Sequence, residues 1–167
     1  SAADYSIKQI DVDGTTVFLS TATPDKQVAE VNVERGETSV IEVWLEGAGN
    51  ISGDSVDNVK IKAWMGGFEN NDIEEISSAF KVEEGITYKK TLRLEIPFDA
   101  ELDNAEDFTL NVEAYDHTNS IKETFDLRLN EKRHALFIQD VIFSPDLEIA
   151  AGKTLFAKVR VENLGDR

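Results

Sequence analysis

Along most of the chain apolar and polar residues alternate with period two, and Gly, Asn, Asp and Pro break the alternation at short intervals. Period two sends successive side chains to opposite faces of an extended backbone, so the pattern predicts an all-β protein. A first strand runs from Tyr5 to Val12 and ends in the turn Asp13-Gly14. A polar connection through Pro24 leads to a strand over Val28 to Val33 and the turn Glu34-Arg35-Gly36-Glu37. From Ser39 to Glu46, Ile41, Val43 and Leu45 share one face; after the loop Gly47 to Asp57, Val59, Ile61, Ala63 and Met65 share a face of the next strand. Tyr88, Leu92, Leu94 and Ile96 line another strand, with Lys89, Thr91, Arg93 and Glu95 on its wet side. Pro97 closes it, because proline has no N–H to give to a central ladder. Phe108, Leu110, Val112 and Ala114, then Phe125, Leu127 and Leu129, mark two more inner faces joined through Asp116 to Ser120. Asn70 to Glu84 is less regular: Ile73, Ile76 and Phe80 suit a helical turn, whereas Phe80 and Val82 suit a short strand.

Counted from Val28, this gives about six or seven strands in roughly 100 residues, the spacing of an immunoglobulin-like β-sandwich. The expected organisation is an N-terminal strand and connection over 1–27, the sandwich over 28–130, a charged hinge over 131–134 and an incomplete second sandwich unit over 135–167. An internal repeat supports the last assignment. Val31 to Gly49 (VNVERGETSVIEVWLEGAG) recurs as Leu147 to Gly165 (LEIAAGKTLFAKVRVENLG), aligning Gly36 with Gly152, Thr38 with Thr154, Val43 with Val159 and Leu45 with Val161. Self-similarity at about one sandwich length points to tandem domains. The second copy holds only the opening strands of a domain, so its apolar faces need a cover, from a longer array or from another molecule. Before it, Ala135 to Phe143 is apolar at both parities, which predicts burial on both faces. Strand pairing across subunits would draw on Phe137, Val141, Phe143, Leu155, Ala157, Val159 and Val161, whose alternation sets the register.

Charge narrows the partners. Thirty-three Asp and Glu against 17 Lys and Arg give a net charge of −16 and a pI near 4.4, a field that repels nucleic acid and anionic lipid. The chain has no cysteine, so disulfides do not mark the compartment, and no stretch has the length and apolarity of a membrane span. The small residues Ser1-Ala2-Ala3 fit a mature chain after removal of a signal peptide.

Little of the chemistry is catalytic. The imidazoles are His117, in a polar turn, and His134, at the domain junction; no Ser or Thr sits in a nucleophile elbow, and adjacent carboxylates such as Glu74-Glu75 and Glu83-Glu84 are unspecific in so acidic a chain. The expectation is therefore no enzyme and no cofactor, with calcium as the one ion to consider. Asp11-Val12-Asp13-Gly14 shares the opening of a calcium loop but lacks its later ligands, and reads as a hairpin turn. Asp99, Glu101, Asp103 and Asp107, with Asn104 and Glu106, supply enough oxygen for a hard cation. Trp44 and Trp64 lie at parities opposite their strands' apolar faces, so they either form a contact surface for a neighbouring subunit or a glycan, or lie under a loop such as Asn70 to Glu84. Asn50-Ile51-Ser52 is the one acceptor sequon for N-glycosylation.

The runs VERGETSVIEVWLEG, DNVKIKAWMGGFENNDIEEISSAFKVEEGITYKKTLRLEIP and DFTLNVEAYD resemble the N-terminal domain of archaeal S-layer and other large cell-surface proteins, over roughly residues 5 to 130. Residues 135–167, ending VRVENLGDR, resemble the start of the adhesion-type sandwich domains that follow in such proteins. The resemblance implies an extracellular, cell-surface array of β-sandwiches with a coat or filament role, partnered by further copies as a homo-oligomer or polymer, and no catalytic residues to carry over. An extracellular carbohydrate- or surface-binding adhesion module is the alternative. One departure concerns Phe108-Thr109-Leu110, where such strands often read Tyr-Thr-Leu; a tyrosine-corner hydrogen bond is not expected there.

Overall fold

A computed structural model describes residues 4–28, 30–68, 72–101, 108–130, 136–144 and 156–163 of the chain, which divides into two units, Ser1–Asn130 and Glu131–Arg167. The first unit contains β1 (Tyr5–Val12), β2 (Thr15–Leu19), β3 (Glu30–Glu34), β4 (Thr38–Gly47), β5 (Ser55–Gly66), β6 (Ile73–Ile76), β7 (Phe80–Glu83), β8 (Thr87–Glu95), β9 (Thr109–Tyr115) and β10 (Ser120–Asn130), with a 3-10 turn at Pro24–Lys26. One sheet has the order β2-β1-β4-β8, antiparallel throughout. The other has the order β3-β10-β9-β5-β6, with β7 on the first part of β5 and β3 running parallel to β10. The chain crosses between sheets from β2 to β3, β3 to β4, β4 to β5, β7 to β8 and β8 to β9. That arrangement makes the first unit an all-β, immunoglobulin-like sandwich.

Alternation decides which face each strand buries. In β4, Ser39, Ile41, Val43 and Leu45 point inward; in β5, Val59, Ile61, Ala63 and Met65 do, and both sets join one core with Leu92, Leu94, Leu110, Val112 and Ala114. Residues 5–19 form two strands of this sandwich: β1 lies between β2 and β4 and sends Tyr5, Ile7, Ile10 and Val12 into the core. Those residues change parity between Ile7 and Ile10. The register shows why, since Ile7 faces Leu45 while Gln9 faces Trp44, leaving Lys8 as the extra residue of a β-bulge that returns Ile10 to the inner face. The turn after β1 is a two-residue hairpin, Val12 facing Thr15, with Asp13 at φ +50 and Gly14 at φ +80 as a type I′ turn requires. Asp13 also accepts hydrogen bonds from Val40 N at 2.8 Å and Ser39 Oγ at 3.0 Å, so its carboxylate is committed to the hairpin.

The stretch Asn70 to Glu84 contains β6 and β7 and no helical turn among its described residues. The two short strands follow β5 in succession, and Ser77 between them exchanges hydrogen bonds with Ile61: Ile61 N donates to Ser77 Oγ and Ser77 N donates to Ile61 O. Side chains guard several sheet edges. The Glu75 carboxylate accepts from Arg93 N on the outer edge of β8, and the Gln27 amide mimics a strand by bonding both Leu19 N (3.1 Å) and Leu19 O (2.8 Å) on the edge of β2. On β10, β3 pairs with Asp126–Asn130 only, and in the remaining part Glu123 sits at an inward parity. Burial holds the Glu123 carboxyl above its usual range. An inward charge there discourages a foreign strand from adding to the edge.

Candidate assembly surface

The second unit contains β11 (Leu136–Ser144) and β12 (Phe156–Asn163), an antiparallel pair. Their register places Ile138 opposite Val161, Asp140 opposite Arg160, Val141 opposite Val159, Ile142 opposite Lys158 and Phe143 opposite Ala157, with a shift between Ile138 and Asp140. The first unit has the same ladder: Ile7 opposite Leu45, Gln9 opposite Trp44, Ile10 opposite Val43, Asp11 opposite Glu42 and Val12 opposite Ile41, with a shift between Ile7 and Gln9. Since the repeat aligns Val43 with Val159 and Leu45 with Val161, β12 is the counterpart of β4 and β11 the counterpart of β1. Gln139 occupies the bulge position of Lys8. The repeat is therefore a strand pair with its bulge, and the intervals between the strands differ, residues 13–37 in one and 145–155 in the other.

The environments of the two pairs differ. Val43 and Leu45 are fully buried beneath the opposite sheet, whereas Val159 and Val161 are 49% and 50% exposed. Charge divides the same way. In residues 131–167, Glu131, Asp140, Asp146, Glu148, Glu162 and Asp166 are balanced by Lys132, Arg133, Lys153, Lys158, Arg160 and Arg167, so the entire net charge of −16 belongs to residues 1–130. The backbone of Phe137, Val141, Phe143 and Ala157 lies in this ladder. Leu155 and the hinge 131–134 lie outside the described residues, as do the side chains whose two-sided burial the apolar run of β11 predicts.

Trp44 and Trp64 are half-buried and lie on the outer faces of different sheets, so they do not share one surface. Both rings are partnered by lysines. Lys89 Nζ lies 4.9 Å from the Trp44 ring centre and 2.6 Å from a Glu42 carboxylate oxygen. Lys62 and Lys122 lie 5.1 and 5.9 Å from the Trp64 ring, and Lys62 is paired with Glu74, whose hydrogen bond holds the ammonium above its usual pKa. β6 runs beside β5 rather than over Trp64, with Glu74 opposite Trp64 in the ladder. Beside Trp64 in the ladder, the buried Asn111 on β9 donates to Thr109 Oγ1 at 3.0 Å and accepts from the Thr124 hydroxyl at 2.9 Å.

Asn50 is exposed in a turn while the next residue, Ile51, is buried, which presents the sequon's acceptor amide to solvent. Asp99 and Glu101 are exposed at an open groove of about 340 Å³ that Phe68, Asp72, Ile73 and Pro97 also line. Asp103 and Asp107 lie outside the described residues, and among the described residues no three His, Asp or Glu side chains gather closely enough to hold a metal. His117 is exposed in the bend after β9, and His134 is not among the described residues. Glu74 and Glu75 are engaged separately, one with Lys62 and one with Arg93 N, as alternation in a strand requires.

Sequence reasoning missed a buried tyrosine latch. Phe108 packs edge-on against Phe68, with ring centres 5.1 Å apart, and the tyrosine hydrogen bond comes instead from Tyr5. Its hydroxyl donates to Asp116 Oδ2 at 2.9 Å, with the Asn119 carbonyl oxygen at 3.2 Å, tying β1 to the turn between β9 and β10. Burial, with the Asp116 contact, pushes the Tyr5 hydroxyl well above its usual pKa. For Asp116, burial acts upward but is outweighed by hydrogen bonds from Thr118 N, Asn119 N, the Thr118 hydroxyl and Tyr5, which leave the carboxyl below its usual range.

Fold and surface together define an all-β protein with one complete immunoglobulin-like sandwich and a second strand pair of the same pattern. No protein-family model matches the chain, and no curated protein does. Among solved structures, a family 123 glycoside hydrolase from Clostridium perfringens, studied for glycolipid glycan hydrolysis, aligns with a TM-score of 0.45 and 12% identity, covering 67% of this chain and 24% of that one. A likeness of that size distinguishes no function.

Proposed function

We propose that the protein is a non-catalytic structural component of a cell surface, an S-layer or surface-filament subunit that assembles with further copies through its β-sandwich units. One observation carries the reading: a strand pair that is completely covered in the first unit recurs, with the same register and bulge, in the second, where Val159 and Val161 are half exposed. Such a pair needs a second apolar layer, because an isolated two-stranded hairpin is at best marginally stable in water. The exposed Asn50 acceptor fits an extracellular setting, and the acidic first unit suits a hydrated coat. Light scattering of the full chain against a chain ending at Arg133 tests the reading. The full chain is expected to associate while the shorter one, which keeps the first unit's core, stays monomeric; equal monomeric behaviour overturns it. The adhesion alternative needs free aromatic faces, and the lysines over Trp44 and Trp64 disfavour it; retention on a glycan matrix that is lost in Trp44→Ala or Trp64→Ala would reverse that preference.

A further inference from the structure

We infer that the hollow beside the β9–β10 turn, lined by Asn58, Lys60, Ala79, Tyr115, Asp116 and His117, binds a carboxylated sugar. The inference goes beyond the assembly reading and uses neither tryptophan. The hollow holds about 380 Å³, within the range of small-ligand sites and ample for a monosaccharide. Its walls come from three places in the fold. β5 and β9 pair with Lys60 opposite Tyr115, both on the outer face, because Val59, Ile61 and Ala114 point inward. Just before Lys60, a bulge between Val56 and Val59 interrupts the pairing of β5 with β7, and Asn58 adopts a φ of +58 there. Bulges of this kind re-aim a side chain, and here Asn58 joins the wall of the hollow. Ala79, between β6 and β7, contributes only a methyl group and leaves the space open.

Charge selects an anion. Lys60 and His117 have no hydrogen bond or ion pair among the described residues. The Asp116 carboxylate is already engaged, Oδ2 by the Tyr5 hydroxyl and Oδ1 by Thr118 N, the Thr118 hydroxyl and Asn119 N. The adjoining row of the outer face, Lys62, Glu113 and Lys122, with Glu74 paired to Lys62, sums to zero and leaves the Lys60 ammonium without a counter-ion. The net charge of −16 opposes an anion from a distance, but at about 0.15 M salt charges more than about 8 Å away are largely screened. The remaining groups select a sugar. The Tyr115 ring suits the C–H face of a pyranose, and the Asn58 amide and His117 imidazole suit its hydroxyls. A carboxylate on that sugar takes the charge-assisted bond from Lys60.

Amide NMR titration of the full chain with sodium glucuronate at constant ionic strength, with glucose and sodium acetate as parallel arms, tests the site. Glucuronate is expected to shift the amides of residues 58–60 and 115–117, half-saturating at roughly 1–10 mM. Glucose and acetate each carry half of the chemistry and are expected to bind about tenfold more weakly. Lys60→Gln is expected to weaken glucuronate binding by about tenfold, and Lys60→Arg to keep it within about twofold. Lys60 is exposed and unpaired, so both variants keep the fold, which an unchanged Tm checks. The inference is overturned by an absence of shifts at these amides, by glucose or acetate binding as tightly as glucuronate, or by unchanged glucuronate binding in Lys60→Gln. None of these results bears on assembly, which light scattering reads separately.

Discussion

Tyr5→Phe removes one oxygen from the latch between β1 and the β9–β10 turn, and its effect follows from the geometry. Tyr5 is 2% exposed, and phenylalanine preserves the ring, so no cavity opens and only the bonds to Asp116 and Asn119 are lost. A hydrogen bond to a charged acceptor contributes about 1.5–3 kcal/mol. Asp116 retains Thr118 N at 2.6 Å, the Thr118 hydroxyl at 2.9 Å and Asn119 N at 3.0 Å, so its carboxylate is not orphaned and the low end of that range applies. The expected loss is about 1.5 kcal/mol, roughly tenfold in the folding equilibrium and about 3–6 °C in Tm for a unit of this size. Urea unfolding followed by tryptophan fluorescence, on the wild type, Tyr5→Phe, Asp116→Asn and the double variant, measures the loss and the pair's coupling, expected near ~1 kcal/mol. The pH dependence supplies a second readout. Because the folded state raises the Tyr5 pKa, that contribution is complete below the unfolded value of about 10 and is lost as pH rises beyond it, so the wild type declines more steeply in alkali than Tyr5→Phe. Asp116 is shifted the other way; its contribution is present above the unfolded value of about 3.9 and is lost as pH falls through the folded one. A Tyr5→Phe protein within about 0.3 kcal/mol of wild type, with no coupling to Asp116, refutes the reasoning.

Gly47→Ala would drive a Cβ into the Glu83 carbonyl oxygen, so a loss of about 1–3 kcal/mol is expected, and unchanged denaturant unfolding contradicts the close approach of β7 to β4. Gln27→Leu removes the side-chain strand mimic on β2; hydrogen exchange at the Leu19 amide should quicken by about fivefold, the worth of a ~1 kcal/mol bond. Glu123→Gln should stabilise the protein at neutral pH, because the raised folded pKa marks a charge that burial disfavours. The gain should vanish below the unfolded value of about 4.3, and a variant less stable than wild type at pH 7 contradicts it. In a host that glycosylates sequons, Asn50→Gln should lose one glycan by mass spectrometry with Tm unchanged, since the side chain is exposed.

The long central strands were legible because each buries one face: in β4 and β5 the inward residues are every second one, and charged residues fill much of the other side. β6 and β7 were not. Four residues such as Ile73-Glu74-Glu75-Ile76 fit either period, and pairing with β5, not local preference, makes them strands. The bulge at Lys8 left a trace, the parity change between Ile7 and Ile10, which only the ladder explains. The second unit was half legible. Gly36 and Gly152 make β4 and β12 align, but unequal intervals hide the match of β1 with β11 from any single offset. The Tyr5 latch and the Gln27 cap had no local signal, because their partners are fixed by tertiary structure.

The parallel pairing of β3 with the end of β10 sets how the protein carries tension. β10 leads from Asn130 into the second unit, and Arg35 N bonds Asn130 O at 3.2 Å at that exit. A pull through the second unit therefore drags β10 along β3, loading their shared rungs together in shear instead of peeling them one at a time. When load enters at the start of β3 and leaves through Asn130, the strand that hands the chain onward is also its brake.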